Sequence, residues 1–226
     1  MMEKSVQVLK CTSHEDWLKK RVIGGSDVAV ILGISPFKTK DKLYRELIGK
    51  DKPEDISDKE YVKFGHQAEE PLRKIFELLF AEDYEVIPTA TIEKDGYIEL
   101  YQRVDKPFMT ATPDARLIDR HTKEEGIWEG KTVNVVTKHK KEEWDGKIPD
   151  YYYPQPTYYQ AVLITPKFFV LSALFLFENS EGEKWQTIRH YLYRPNQEDI
   201  DYVEDEVTKF WDDVKQGKEP PFQPKL

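Results

Sequence analysis

The hydrophobic positions of this chain change their period once, close to residue 80. From Ser57 to Phe80 apolar side chains fall at positions 61, 64, 68, 72, 75, 76 and 79, the three- and four-residue spacing of one helix face. Pro71 interrupts that run, so a kink or two helices meeting near Gly65 is expected. The segments before it also read as helical. Ser13 followed by Asp16 reads as a variant capping box ahead of Trp17 and Leu18. Gly24-Gly25-Ser26-Asp27 leads into the apolar run Val28 to Leu32, which Gly33 stops. Thr39 is placed to cap a helix through Leu43, Tyr44 and Leu47, and Gly49 closes it.

Beyond residue 80 the segments YEVIPTATIE, YIELYQRV, FMTATPDARLID and GIWEGKTVNVV are rich in β-branched and aromatic residues and are parted by turn residues. In IPDYYYPQPTYYQAVLI the second half reads as a helix opening at Pro154 or Pro156. FFVLSALFLF and KWQTIRHYLYR read as two strands joined by Asn-Ser-Glu-Gly-Glu, and Pro195 to Lys215 as an acidic amphipathic helix carrying Tyr202, Val203, Val207, Phe210 and Trp211. The pattern predicts a mixed α+β fold, a central mixed β-sheet flanked by helices. One domain over 1–226 is expected, helical to about residue 80 and sheet-centred after it.

Composition narrows the class. With 226 residues, 39% hydrophobic and 34% charged, the chain suits a globular domain with a real core. No run approaches the roughly 18–20 apolar residues of a membrane span, and the N-terminus lacks a signal-peptide core, so a cytoplasmic protein is expected. The one cysteine, Cys11, excludes an internal disulfide and a cysteine-based zinc site, and is read as a buried or idle thiol. A net charge of −8 argues mildly against nucleic acid as a partner, although a local basic surface can coexist with it.

The candidate chemistry lies in Asp114, Glu129 and Lys131. Period-two alternation puts Glu129 and Lys131 on one strand face, with Gly130 on the other. Asp114 stands 15 residues before Glu129, at the head of the preceding strand. A tight hairpin centred near His121-Thr122 sets it directly opposite Glu129; a longer loop shifts it by about a residue pair. Two opposed carboxylates repel, so the arrangement makes sense with a cation between them. Hard oxygen ligands suit Mg²⁺ or Mn²⁺, and such a site suits phosphodiester hydrolysis, with Lys131 orienting water and stabilising developing charge. Alone, the same three residues also read as solvated strand-end acids and an ordinary ion pair.

Pro113-Asp114 followed by Glu129-Gly130-Lys131 resembles the PD-(D/E)xK motif of restriction-endonuclease-like nucleases. Within that superfamily the chain resembles the phage lambda exonuclease family, the viral recombinase-type alkaline exonucleases. Three further blocks carry the resemblance in the same order: Gly24-Gly25-Ser26-Asp27 with Ile31-Leu32-Gly33-Ile34-Ser35-Pro36-Phe37; Phe64-Gly65-His66-Gln67-Ala68-Glu69; and Ile148-Pro149 with Tyr151-Tyr152, Gln155 and Tyr159. The blocks span Trp17 to about Tyr159.

The resemblance implies a restriction-endonuclease-like core and a 5′→3′ exonuclease on duplex DNA ends with two Mg²⁺ ions, for which Mn²⁺ can substitute. It implies Asp114, Glu129, the Gly130 carbonyl and Glu69 as metal ligands, Lys131 as catalytic lysine, and Gln155 and Tyr159 as support for the site. Arg21, Ser26, Thr112 and Lys138 are the implied pocket for a 5′-phosphate. A trimeric ring around DNA and a single-strand annealing protein are the implied assembly and partner. Glu69-Glu70-Pro71 leaves two candidates for the helix carboxylate: the G-x-x-x-E spacing selects Glu69, and the Glu-Pro pairing selects Glu70. The position of Gly130 is often bulkier in relatives.

Other residues carry weaker signals. His66 could reach the site or be a partly exposed polar residue; the other histidines show no metal-ligand spacing. Lys138-His139-Lys140-Lys141 could track a DNA backbone or be a solvated face, and the tyrosines at 151–153 and 158–159 could stack on separated bases or pack in the core. Trp128 and Trp144 read as core. Two competing functions remain at this point: an endonuclease on the same scaffold, and a catalytically silent DNA-end or protein-binding module.

Overall fold

The computed structural model describes residues 4–135, 137–179 and 181–221, with the side chains of 138–140 outside the described residues. Its first element is not helical. Strand β1 (Val6–Cys11) pairs antiparallel with β3 and ends on a fully buried Cys11. The sequence VQVLKC alternates, but its run is too short and too polar to stand out beside the helical segments that follow. Helix α1 (His14–Lys20) begins where the Ser13 hydroxyl accepts the Asp16 amide, and α2 (Gly25–Ile31) follows the two glycines. Helix α3 (Lys40–Leu47) starts after Thr39, whose side chain makes no capping bond.

Helix α4 (Glu60–Leu79) is one continuous helix through Gly65 and Pro71, not two meeting at Gly65. Packing explains its survival. Leu72 and Phe76 are buried against Trp128, Ala115, Leu117, Phe168 and Val170, and this burial offsets the hydrogen bond that Pro71 cannot donate.

Strand β2 (Tyr84–Pro88) is shorter than the segment that suggested it, because Ile92–Asp95 forms a short helix, α5. Strand β3 (Ile98–Arg103) follows. The segment FMTATPDARLID divides into β4 (Thr110–Ala111) and β5 (Ala115–Asp119), which belong to different sheets. Then come β6 (Glu125–Val135), α6 (Lys138–Glu143), α7 (Pro154–Leu163), β7 (Phe168–Glu178), β8 (Lys184–Tyr193) and α8 (Gln197–Lys215).

Instead of one sheet there are two: an antiparallel β1-β3-β4 and a mixed five-stranded β2-β5-β6-β7-β8. In the larger sheet only β6 and β7 run parallel. A parallel pair needs a crossover, and here the crossover carries α6 and α7. It is this return that brings α7 back across β6. Trp128 and Trp144 are fully buried core residues, and so are Tyr158 and Tyr159, whereas Tyr151, Tyr152 and Tyr153 are half-buried.

Candidate active site

Each site residue is placed by a separate element. The β5–β6 hairpin turns at His121-Thr122, with both their amides donating to Asp119 Oδ1. Its register pairs Ala115 with Trp128, so Asp114 stands one step further out, opposite Glu129, as the tight-hairpin alternative required. Asp114 also sits at the break between the two sheets. The Thr89 amide donates to its carbonyl at 3.2 Å, and the Thr89 hydroxyl donates to the Pro113 carbonyl, so β2 holds this junction in place.

The two carboxylates do not point at each other. Asp114 Oδ2 accepts the Gly130 amide at 2.8 Å, while Glu129 Oε1 accepts Lys131 Nζ at 2.7 Å and the Gln155 side-chain amide. Gln155 Nε2 also reaches Tyr159 Oη at 3.1 Å, and Tyr159 donates to the Thr112 carbonyl at 3.3 Å. Gln155 and Tyr159 lie one turn apart on α7, so one helix face supplies both. Glu69 lies on α4 one turn before Leu72, and the burial of Leu72 turns it toward the sheet end. Glu70 points elsewhere: it pairs with Lys74 and Lys94 at 2.9 and 2.6 Å, and those partners hold its carboxyl down at about 2. The choice between the two is therefore made by side-chain direction, and Glu69 is the one that faces the cavity.

The glycines are explained by close approach. A Cβ on Gly130 would stand 2.8 Å from the Trp128 ring, which is buried and donates to Ser172 Oγ at 2.8 Å. A bulkier residue there is excluded by this indole. Gly24 leaves room for the Arg21 guanidinium, and Gly25 for the Tyr159 ring. Arg21 Nη2 donates to Ser26 Oγ at 2.9 Å and Asp27 Oδ2 at 2.8 Å, and its guanidinium lies over the Trp17 ring. Asp27 also accepts the Gly24 amide, so it holds both the turn and the arginine. Trp17 Nε1 donates to Thr112 Oγ1 at 3.1 Å.

Glu69, Asp114, Glu129, Gly130, Lys131, Gln155, Tyr159, Arg21, Ser26 and Thr112 all line one cavity of about 500 Å³, with His66 and Trp17. Lys138 is the exception: its side chain lies outside the described residues. Trp17, which lines the cavity, and Asp27, which holds Arg21, are polar contributors to which sequence reasoning assigned no site role. The i, i+4 spacing of Trp17 on α1 and Arg21 at its C-cap was the available signal.

Electrostatics set this cavity apart. Burial, then the Asp114 charge, push Glu129 up to about 8 and Glu69 up to about 7, against the pull of Lys131. Burial raises Asp114 as well, opposed by Lys131 and the Gly130 amide. Lys131 is partly buried, which alone would lower its pKa, yet Glu129 and Asp114 hold it above the ordinary lysine value. Glu129 Oε2 is buried with no hydrogen-bond partner. Three carboxylates, one ammonium and one orphaned oxygen are short of positive charge, and a hard divalent cation would supply it. Among the described residues no three acidic, histidine or cysteine side chains already converge as a closed ligand set. Asp114 and Glu129 are turned to internal donors, which a cation would have to displace.

A mixed sheet with Asp114 at the head of β5, Glu129 and Lys131 on β6 and a carboxylate from the flanking helix defines a restriction-endonuclease-like nuclease core. Two solved structures share the fold. The complex of LHK-Exo with dAMP superposes with a TM-score of 0.61 at 16% identity, covering 91% of this chain and 94% of that one. The alkaline exonuclease LHK-Exo from Laribacter hongkongensis gives a TM-score of 0.54 at 15% identity, with the same coverages. At such identities the likeness is one of fold. No curated protein sequence matches. The profile of the YqaJ-like viral recombinase domain matches residues 16–165, and the chain belongs to that family, the nuclease lineage its motifs resemble.

Proposed function

We propose that the protein is a Mg²⁺-dependent 5′→3′ exonuclease that shortens one strand of duplex DNA from a 5′-phosphorylated end. One observation carries the reading. The same cavity is lined by the Asp114–Glu129–Lys131 centre and by Arg21, Ser26 and Thr112. An arginine fork beside hydroxyls suits a terminal phosphate, and a cavity of 500 Å³ has room for about one nucleotide.

In this reading Asp114, Glu129, the Gly130 carbonyl and Glu69 would hold the metal, which when bound supplies an acidified water and charge neutralisation at phosphorus. Lys131 holds positive charge beside the attacked phosphate. Gln155 fixes the Glu129 carboxylate from α7, and Arg21, steadied by Asp27 and Trp17, measures the distance to the strand end. Water attacks phosphorus and the P–O3′ bond breaks. The released nucleotide gains a free 3′-hydroxyl, and the next nucleotide acquires the 5′-phosphate that makes it the new end.

Linear duplex with a 5′-phosphate is the test substrate, against a 5′-hydroxyl duplex and a covalently closed circle. Shortening of the phosphorylated strand alone is expected, and cutting of the circle would establish an endonuclease instead. Lys131→Ala should lower cleavage by about 10²–10³-fold while DNA binding in Ca²⁺ remains. Activity surviving excess EDTA would remove the metal from the mechanism. A ring-shaped trimer and an annealing-protein partner complete this reading, and light scattering of the purified protein checks the first.

A further inference from the structure

Beside the cavity, on the Lys131 side, runs a short row of aromatic rings. Lys131 Nζ lies 6.0 Å from the centre of the Tyr152 ring. Tyr152 and Tyr151 follow at 4.6 Å between centroids, and Phe37 meets Tyr151 edge-on at 5.8 Å. The inner end is packed, since Tyr152 also touches the buried Trp144. The outer end is open: Phe37 is 67% exposed, with the neighbouring Ile34 43% exposed.

The loop that presents Phe37 is held firmly. The amides of Ile34 and Ser35 both donate to the Ala29 carbonyl, and Ser35 Oγ accepts the amides of Phe37 and Lys38. Lys38 is tied to Glu46 at 2.6 Å. Phe37 meets the protein through its edge-on contact with Tyr151 and leaves most of its surface in water on a fixed loop, so it gains little for folding. It is pre-ordered for an outside partner with an aromatic or apolar face. The continuity of the row with Lys131 says which partner. A strand whose phosphate lies at Lys131 has this row as the nearest aromatic path for its next bases, and every base has a face to stack, whatever its identity.

We propose that Phe37 and Tyr151 form a stacking step that receives unpaired bases of the strand entering the site, so that the protein grips DNA at the end it cuts without reading sequence. This rests on the nuclease reading above. The step adds positioning rather than chemistry, so its loss falls on KM more than on kcat.

Three variants test it: Phe37→Ala, Phe37→Trp and Tyr151→Ala, each with oligonucleotides whose terminal bases are intact or replaced by abasic residues. Phe37→Ala should raise KM about tenfold on intact DNA, and Phe37→Trp should restore it. On abasic DNA the wild-type protein should fall to the level of Phe37→Ala. Quenching of 2-aminopurine near the strand end on binding in Ca²⁺ should weaken in Phe37→Ala and Tyr151→Ala. An unchanged KM, or a penalty that persists on abasic DNA, overturns the proposal; the latter would assign Phe37 to a backbone contact or a protein partner. Should the wild-type protein cut no DNA with Mg²⁺ or Mn²⁺, the nuclease reading fails, and the 2-aminopurine measurement still decides the stacking step.

Discussion

Two of the buried carboxylates in this molecule, Glu204 and Glu129, are treated in opposite ways. Glu204 on α8 is 5% exposed and surrounded by cations: Lys106 at 2.7 Å, Lys4 at 3.0 Å and Arg103 at 3.3 Å. Burial alone would raise its pKa, but those three partners bring it down to about 2. Arg103 is fully buried and also pairs with Asp105 and the Ala161 carbonyl, so it ties β3 to α7 and α8. At the cavity Glu129 is 2% exposed, yet its neighbours are Asp114 and Glu69, and Lys131 is its near cation. One cluster is complete within the protein. The other is left short of positive charge, which is what a site awaiting a cation requires and a stabilising network does not.

The strongest way to break this contrast is to remove the centre of the complete cluster. Arg103→Ala takes away the partner of Asp105 and the fully buried tie from β3 to Glu204, which keeps Lys106 and Lys4, and should cost about 3 kcal/mol in urea unfolding. A loss below about 1 kcal/mol would mean that the network is decorative. Next in size is Gly130→Ala. Its new methyl meets an indole held by Ser172, which is itself bonded to His190, and should cost about 1–3 kcal/mol while loosening the Gly130 amide from Asp114. Gly65→Ala is the control, because its Cβ would meet only Thr132 Oγ1 at 3.6 Å; a helical alanine there should gain up to about 1 kcal/mol.

The pH dependence is the finest test, with slopes of at most about 1.4 kcal/mol per pH unit for each proton. Glu204 titrates near 2 when folded against 4.5 when unfolded, so its contribution is complete above 4.5 and is lost as pH falls toward 2. Glu69 and Glu129 titrate near 7 and 8 when folded, so the folded state holds the extra protons. Their contribution is complete below 4.5 and is lost as pH rises toward 8. Metal-free protein should therefore unfold more easily at pH 8 than at pH 5. Glu129→Gln should flatten that alkaline limb, whereas Glu204→Gln should destabilise at both pH values. Mg²⁺ at pH 8 should raise the Tm of the wild-type protein and do so less in Glu129→Gln. A Tm indifferent to Mg²⁺ would end the claim that the cavity lacks a cation.

Much of this was legible in residue order. Alternation along β6 set Glu129 and Lys131 on one face, and a tight hairpin at His121-Thr122 was one of two registers left open, the one that the β5–β6 pairing then selected. Helical spacing found α4, because seven apolar positions on one face leave little alternative. What was missed follows from competition between local and distant interactions. Strand β1 owes its existence to pairing with β3, some ninety residues away in sequence. Pro71 argued for a break, and burial of Leu72 and Phe76 against the sheet overrode it. FMTATPDARLID looked like a single strand because nothing local marks where a chain leaves one sheet for another.

By itself, then, the sequence determined which residue types could do chemistry, the period that puts them on a face, and the family to which they belong, since these depend on identity and on neighbours within one or two turns. Only the tertiary structure decided that Glu69 rather than Glu70 enters the cavity, that Gly130 yields its space to Trp128, and that Arg21 and Lys131 share one chamber. Side-chain direction, close approach and local dielectric depend on what packs from afar. The same distance in sequence separates Phe37 from Tyr151, and the fold makes them neighbours.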